Sequence, residues 1–561
     1  MRRYLERLSP DMIFVLLVAA WWVVNLLQAA FTQLADDEAY YFMFAQNLAW
    51  GYYDHPPMTA LMVWMGNFIG GELGVRFFFL LCQPLYLLIL WLLARGKEAT
   101  QQDAFLFFMI AAAIPMMMLY GFIAVPDVPL MLFSAVFLLC YKRFAERDSW
   151  LNTVLLGISL AALAYSKYHG ALVVVLALVS NPQIFRRRKL YVAALLALVL
   201  FLPHLRWEQQ HDWMSFRYHL SERNRSFEAV YPLEFLLNLF LVFNPLFFPL
   251  YVWAYRKTRS KGVVERALSF ILIGFTGFFL LSSVRGHVQP QWVIPITFSL
   301  IVLLYNFVKD NARLHKYVMN SALITVGLVM LLRVEMIFNP IGLKFEIFNN
   351  KASYGAIAEV AQGNTVIFAG RYALAAKYNF YTGAPAYCQS SVGYRSSQWE
   401  LRDDDTRAAR RKVIIETSPE NGDTTIMLAN GRSFSYRTDP DFHPVRKVNI
   451  FVRDGLPKEV RRGEDYTYRL RLDNPYTYDL TIDRDSLPVV LVFRDIGRNL
   501  YTYVQPQIEG LLPSGGNSLW MNSFKVPEDL PEGEYTMGFA IRPPKGLDYW
   551  YNSEHRRVRV L

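Results

Sequence analysis

Apolar residues crowd the first 340 positions in long runs broken by short polar stretches, whereas the rest of the chain alternates over short distances. A helix needs roughly 17 to 25 apolar residues to cross ~30 Å of hydrocarbon. Runs of that kind lie near 12–34, 74–94, 104–122, 128–141, 150–166, 169–182, 190–205, 232–254, 263–283, 291–308 and 316–337, so the pattern predicts about eleven spans within residues 1–340. The tightest stretch is 150–181, where only about thirty residues must supply two short helices. Meeting at 166–170, they turn below the membrane surface, place Lys167 at membrane depth and imply a wet cavity there.

After NPIGLKFEIFNN the pattern is that of a water-soluble domain. TVIFAG reads as a buried strand leading into the helix RYALAAKYNF, and KVIIE and TTIMLA read as further strands, so 341–440 is expected to be a small α/β unit. Over 441–561, VNIFV, YTYRLRL, YDLTI, VVLVF, LYTYV, SLWMNSF, EYTMGFAI and RRVRVL are short runs separated by turn signals such as DNP, PSGGN and PEGE. That is a β-sandwich pattern. The expected fold is a mainly α polytopic membrane protein with a C-terminal α/β unit and a β-sandwich.

Composition and charge add a topology. The chain is 54% hydrophobic with a formal charge of +10, and the excess sits in short loops rather than in a nucleic-acid-binding face. Arg95, Lys97, Lys142, Arg143, Arg147 and the basic stretches 186–189, 256–261 and 309–316 all fall on one side, while 36–74 holds no Lys or Arg. The positive-inside rule then makes the N-terminus cytoplasmic, an uncleaved signal anchor, and residues 341–561 extracytoplasmic. Cys82, Cys140 and Cys388 support neither a disulfide framework nor a cysteine metal site.

This topology puts the unusual polar residues on the outer face. Asp36, Asp37 and Glu38 stand where the first span ends, among Tyr40, Tyr41, Phe44, Trp50, Tyr52 and Tyr53, whose rings suit stacking on sugars; DHPP with His55 follows. A solvated helix end is the plainer account of the acids. Asp127 in VPDVP is either an N-cap or a functional carboxylate. Lys167 could snorkel and His169 could be a satisfied buried imidazole. Arg206, Arg217, Arg223 and Arg225 lie among Trp207, Trp213, Phe216 and Tyr218, as an interfacial helix on anionic lipid would also show. Arg285 and His287 gain weight only from sharing the face. Acids together with cations able to take a phosphate suit a lipid-linked, phosphorylated substrate. Asp127 and His55 could hold a divalent metal ion, though no ligand spacing is diagnostic.

DDEAYYFMFAQNLAWGYYDHPPM, VPDVPLMLF, SKYHG, LRWEQQHDWMSFRYHL and GRYALAAKYNFYTG together resemble bacterial members of glycosyltransferase family 39. That family is related to the protein O-mannosyltransferases and lipid A aminoarabinose transferases of GT-C fold. The resemblance covers the membrane half and the α/β unit, not the sandwich. It implies a hexosyl- or pentosyltransferase in a bacterial inner membrane, moving a sugar from a polyprenyl-phosphate donor to an envelope glycolipid such as lipid A, a glycan or a protein hydroxyl. It further implies that Asp37 and Glu38 are the catalytic pair, with Asp37 activating the acceptor, and that later basic residues hold the donor. The extra acid Asp36 leaves a one-position ambiguity. By role and position, Tyr52, His55, Asp127, Lys167, His169, Arg206, Arg285 and His287 are the candidate substrate-binding residues. One base and a phosphate leaving group predict inversion. No Gly-rich phosphate cradle is found, so no nucleotide cofactor is expected.

A transporter or flippase would also carry intramembrane charges, but should show repeated halves and central broken helices; no internal repeat is evident. A membrane-anchored binding module leaves the first outer loop without a purpose.

Overall fold

Local signals set the helix ends. Ser9 accepts the amide of Met12 at 3.2 Å ahead of Pro10, and Thr100 and Asp103 cap each other reciprocally. In the computed structural model, residues 8–222, 228–259 and 262–561 are described. Arg223, Arg225, Lys261 and the extreme N-terminal basic residues lie outside the described residues. The chain divides into two units, Met1–Phe348 and Asn349–Leu561.

The first unit is helical. Among the described residues, Pro10–Phe31, Gly71–Ala94, Asp127–Glu146, Arg188–Gln210, Val263–Ser283 and Ala312–Phe338 are each long and apolar enough to cross a membrane, and Trp150–Ser166, Gly170–Val179, Val230–Val242 and Ile296–Val308 are shorter apolar helices. Length and composition thus mark six of the eleven expected crossings.

Two of the remaining runs are broken where proline intervenes. The run 104–122 divides into Gln101–Ala112 and Pro115–Leu119, because Pro115 lacks an N–H and forces its predecessor out of the helical region. The carbonyl freed at Ala113 is taken by the Asn244 amide at 2.9 Å, which also reaches Thr325 Oγ1 at 3.1 Å. Asn244 sits in turn at the break between Val230–Val242 and Phe248–Thr258. Broken helices persist in an apolar setting when neighbours satisfy the released backbone in this way. The stretch 150–181 does form two helices, Trp150–Ser166 and Gly170–Val179, with Lys167 buried in the turn between them.

The second unit carries the strands. β1 (Thr365–Ala369) pairs in parallel with β2 (Ala386–Gln389) and β3 (Val413–Thr417); β3 pairs antiparallel with β5 (Ser433–Asp439), and β4 (Thr424–Met427) completes the sheet. Tyr372–Thr382 follows β1, as RYALAAKYNF suggests, while helix Asn350–Ala361 and strands β2 and β5 had no clear sequence signal. All eight later runs form strands. Asp465–Asp473 pairs with Asn517–Lys525 and Asn449–Val452, and Val489–Asp495 pairs with Leu500–Val504 and Gly533–Ile541. Leu470 and Leu472 of one sheet share a core with Leu491, Phe493, Met537 and Phe539 of the other. Val490 and Val492 instead face Ala540 and Tyr551, so VVLVF is apolar on both sides and shows no alternation.

Candidate functional site

The acidic triplet divides into three different environments. Helix Asp36–Ala45 starts directly after an extended turn, where acids favour the N-terminal end of the helix dipole. Glu38 is fully buried. It accepts Arg76 Nε at 2.6 Å and Nη2 at 2.5 Å, the Ala35 amide at 3.0 Å and the Ala124 amide at 2.9 Å. Arg76 also donates to the carbonyls of Ala29 (2.9 Å), Thr32 (2.5 Å) and Gln33 (3.1 Å). One ion pair thereby ties the end of the first long helix, the second long helix and the loop leading to Asp127. With Glu38 turned inward, Asp37 is left exposed, while Asp36 is half-buried and its amide donates to Glu346 Oε1 at 3.1 Å.

Asp127 opens helix Asp127–Glu146 and meets Lys167 Nζ at 2.6 Å, both side chains being buried. The recessed lysine predicted from helix lengths is therefore neutralised by a carboxylate rather than by water. The Glu38–Ala124 hydrogen bond sets the acidic helix against the loop that leads to Asp127.

A second network fixes the loop after the triplet. The buried His204 donates from Nδ1 to the Trp50 carbonyl at 2.7 Å, and its Nε2 lies 3.0 Å from the Tyr168 hydroxyl. Glu208, also buried, accepts that hydroxyl at 3.2 Å and the Ser215 amide at 3.3 Å. Ser215 Oγ donates to the Tyr52 carbonyl at 2.7 Å, and His219 Nε2 lies 2.9 Å from the Asp54 carbonyl. At Gly51 a Cβ would come within 2.3 Å of the Trp207 ring, so only glycine allows this approach.

Tyr52 is part of this frame. Its hydroxyl lies 3.2 Å from the carbonyls of Phe44 and Asn47 and accepts the Ala49 amide at 3.1 Å, its ring stacks on Phe44, and burial pushes its pKa up to about 12. Tyr52→Phe is expected to lower stability by about 1–3 kcal/mol through the stranded backbone groups. Thermal unfolding of the purified variant checks this; a stability matching wild type with weakened donor use would assign Tyr52 to the substrate instead.

The other candidates are more scattered. His55 is half-buried between the rings of Tyr41 and His219, and His169 packs beside Phe279 and Trp292. Arg206 and Arg285 are exposed and make no side-chain hydrogen bond or ion pair among the described residues. His287 lies 3.8 Å from Glu234, both partly exposed. Among the described residues no three His, Cys, Asp or Glu side chains converge as metal ligands, and Asp127 holds a lysine. Arg76, Tyr168 and Glu208 were missed in the sequence, although a lone arginine in an apolar run is a signal in its own right.

The fold defines a class: a multi-pass membrane protein of GT-C type. It aligns with ArnT from Cupriavidus metallidurans in the apo state at a TM-score of 0.58 and 13% identity, covering 76% of this chain and 97% of that one. The same protein bound to undecaprenyl phosphate gives 0.57 and 14%, covering 75% and 97%. Residues 54–207 match the family described as dolichyl-phosphate-mannose-protein mannosyltransferase. The chain is 28% identical over 290 residues to lipid A galacturonosyltransferase RgtD of Rhizobium johnstonii, covering 49% of this chain and 60% of that protein. It is 27% identical over 296 residues to an uncharacterized protein of Aquifex aeolicus, covering 49% and 57%. The matches thus span somewhat over half the length of these curated relatives. The likeness to the solved structures shows an ArnT-like fold, and the family match covers residues 54–207.

Proposed function

We propose that this protein is an integral membrane glycosyltransferase that moves a sugar from a polyprenyl-phosphate donor to an envelope acceptor on the outer face of the bacterial inner membrane. The observation that carries the reading is Asp37, exposed at the start of its helix beside the buried Glu38–Arg76 pair, whose Glu38 also accepts the Ala124 amide of the loop leading to Asp127. Asp37 takes the proton of the acceptor hydroxyl as its oxygen bonds to the anomeric carbon. The bond from that carbon to the phosphate oxygen breaks, and polyprenyl phosphate leaves. A single displacement inverts the anomeric carbon. Lys167, held by Asp127 at 2.6 Å, donates a hydrogen bond to the leaving phosphate, and Arg206 and Arg285 supply the net positive charge at the surface. The likeness to ArnT with undecaprenyl phosphate favours the donor class, and that to a lipid A galacturonosyltransferase favours a glycolipid acceptor.

Mass spectrometry of envelope lipids and glycans from a deletion strain is expected to show loss of one sugar from a lipid A-like glycolipid. An unchanged envelope would overturn the assignment. In this orientation the N-terminus is cytoplasmic and 341–561 lie outside, so a periplasmic reporter fused after Leu561 is expected to be active and a cytoplasmic one silent.

A further inference from the structure

The connections of the sheet β2–β1–β3–β5–β4 turn apart between β1 and β3. After β1 the chain runs through Tyr372–Thr382 to β2 on one side, and after β3 it turns to β4 and β5 on the other, while β1 and β3 lie parallel. Open α/β sheets take ligands in the crevice beyond the carboxyl ends of two such strands. A cavity of about 370 Å³ lies there, with Ala369 from the end of β1 and Glu416 and Thr417 from the end of β3 in its walls. That is room for a small molecule. The stretch 546–548, from the loop between strands Gly533–Ile541 and Arg556–Val560, supplies a further wall. The Val392 amide, just past β2, donates to the Tyr549 carbonyl at 2.7 Å and so ties this loop to the end of the sheet. Gly546 stands at φ +99°, and a Cβ there would come within 2.8 Å of Arg437 Cδ, so glycine suits the close approach.

The groups in these walls are acidic and hydroxylic. Glu416 is half-buried and accepts the Ala369 amide at 3.3 Å, its one side-chain hydrogen bond among the described residues. Burial holds its carboxyl above the usual carboxylate range, although Arg432 and Arg371 act on it electrostatically from outside the cavity walls. Asp548 and the Thr417 hydroxyl, also in the walls, make no side-chain hydrogen bond among the described residues, and Asn421 donates to Ser418 Oγ at 3.0 Å with its own oxygen left to accept. Among the described residues no lysine or arginine lines the cavity, so two carboxylates there call for a cation. With no third His, Cys, Asp or Glu converging on them among the described residues, the set fits an ammonium group better than a metal ion. We propose that this crevice is a glycan-binding site for a sugar ring carrying a protonated amine, with the ammonium on Glu416 and Asp548 and the ring hydroxyls on Thr417 and Asn421. Hydrogen bonds between an ammonium and carboxylates are of the strong, charge-assisted kind. The site is built on other residues than Asp37, Asp127 and Lys167, and its occupancy does not depend on the transfer reaction proposed above.

The test is a titration of full-length protein, in a detergent without a sugar headgroup, with a glucosamine tetrasaccharide, its fully N-acetylated counterpart and spermidine, read by microscale thermophoresis. Wild type is expected to bind the amine-bearing tetrasaccharide about tenfold or more tighter than either of the other two. Glu416→Gln/Asp548→Asn removes both charges at nearly constant shape and is expected to weaken that binding about tenfold or more, and Thr417→Val to weaken it about threefold or more. Asp37→Asn is expected to bind the tetrasaccharide as wild type does. The proposal is overturned if the cavity variants bind as wild type does, or if the N-acetylated sugar or spermidine binds wild type as tightly as the amine-bearing sugar. Binding lost in Asp37→Asn but kept in the cavity variants places the sugar at the transfer site and overturns it too. Should the double variant fail to fold, undiminished binding by Asp548→Asn and Thr417→Val overturns it on their own.

Discussion

Asp37→Asn is expected to insert, fold and bind donor normally and yet lose on the order of 10² to 10⁴ in transfer rate. The amide keeps the shape of the side chain but cannot take the acceptor proton. Stability should change little, because Asp37 is exposed at a helix start while the buried anchoring falls to its neighbour Glu38. Asp36→Asn is the matched control: Asp36 is half-buried, and its successor points about 100° away round the helix, so most activity should survive. Purified variants assayed with the native lipid donor decide between the two acids. An active Asp37→Asn beside a dead Asp36→Asn moves the base by one residue, and two active variants remove this helix from the chemistry.

Arg76→Met is expected to be among the most damaging single changes in the helical unit. It leaves the Glu38 carboxylate in a fully buried place with only the Ala35 and Ala124 amides, and breaking a buried pair in this way costs about 3–5 kcal/mol. Low recovery and a lowered unfolding temperature in detergent are the readouts. The double variant Glu38→Met/Arg76→Met removes both charges, so much of the stability should return. Its activity should stay low, because the lock that turns Asp37 outward and holds the approach to Asp127 is gone. A stable Arg76→Met protein with wild-type transfer would mean that this pair neither holds the fold nor positions Asp37.

The elements most legible in the sequence were those with a strong local signal. The long apolar runs, the strand TVIFAG with its following helix, and the eight later strands needed no knowledge of distant neighbours. The split of 104–122 was less visible, because a proline in an apolar run becomes a break only where a partner such as Asn244 can take the freed carbonyl. The candidate site divides in the same way. The acidic triplet stood out by its cost at a membrane boundary, whereas Arg76 was passed over as part of a span, and Tyr168 and Glu208 carry no local mark of the network they join around His204.

By itself the sequence determined the membrane class, the expected sidedness and the stretch where acids, aromatics and prolines gather, since each follows from local cost: charge in hydrocarbon, cations in loops, and residues before proline. Only the tertiary structure decided which acid is locked and which is presented. Pairing Glu38 with Arg76 and Asp127 with Lys167 joins residues 38 and 40 positions apart on separate elements, and a buried charge takes its role from whichever partner reaches it.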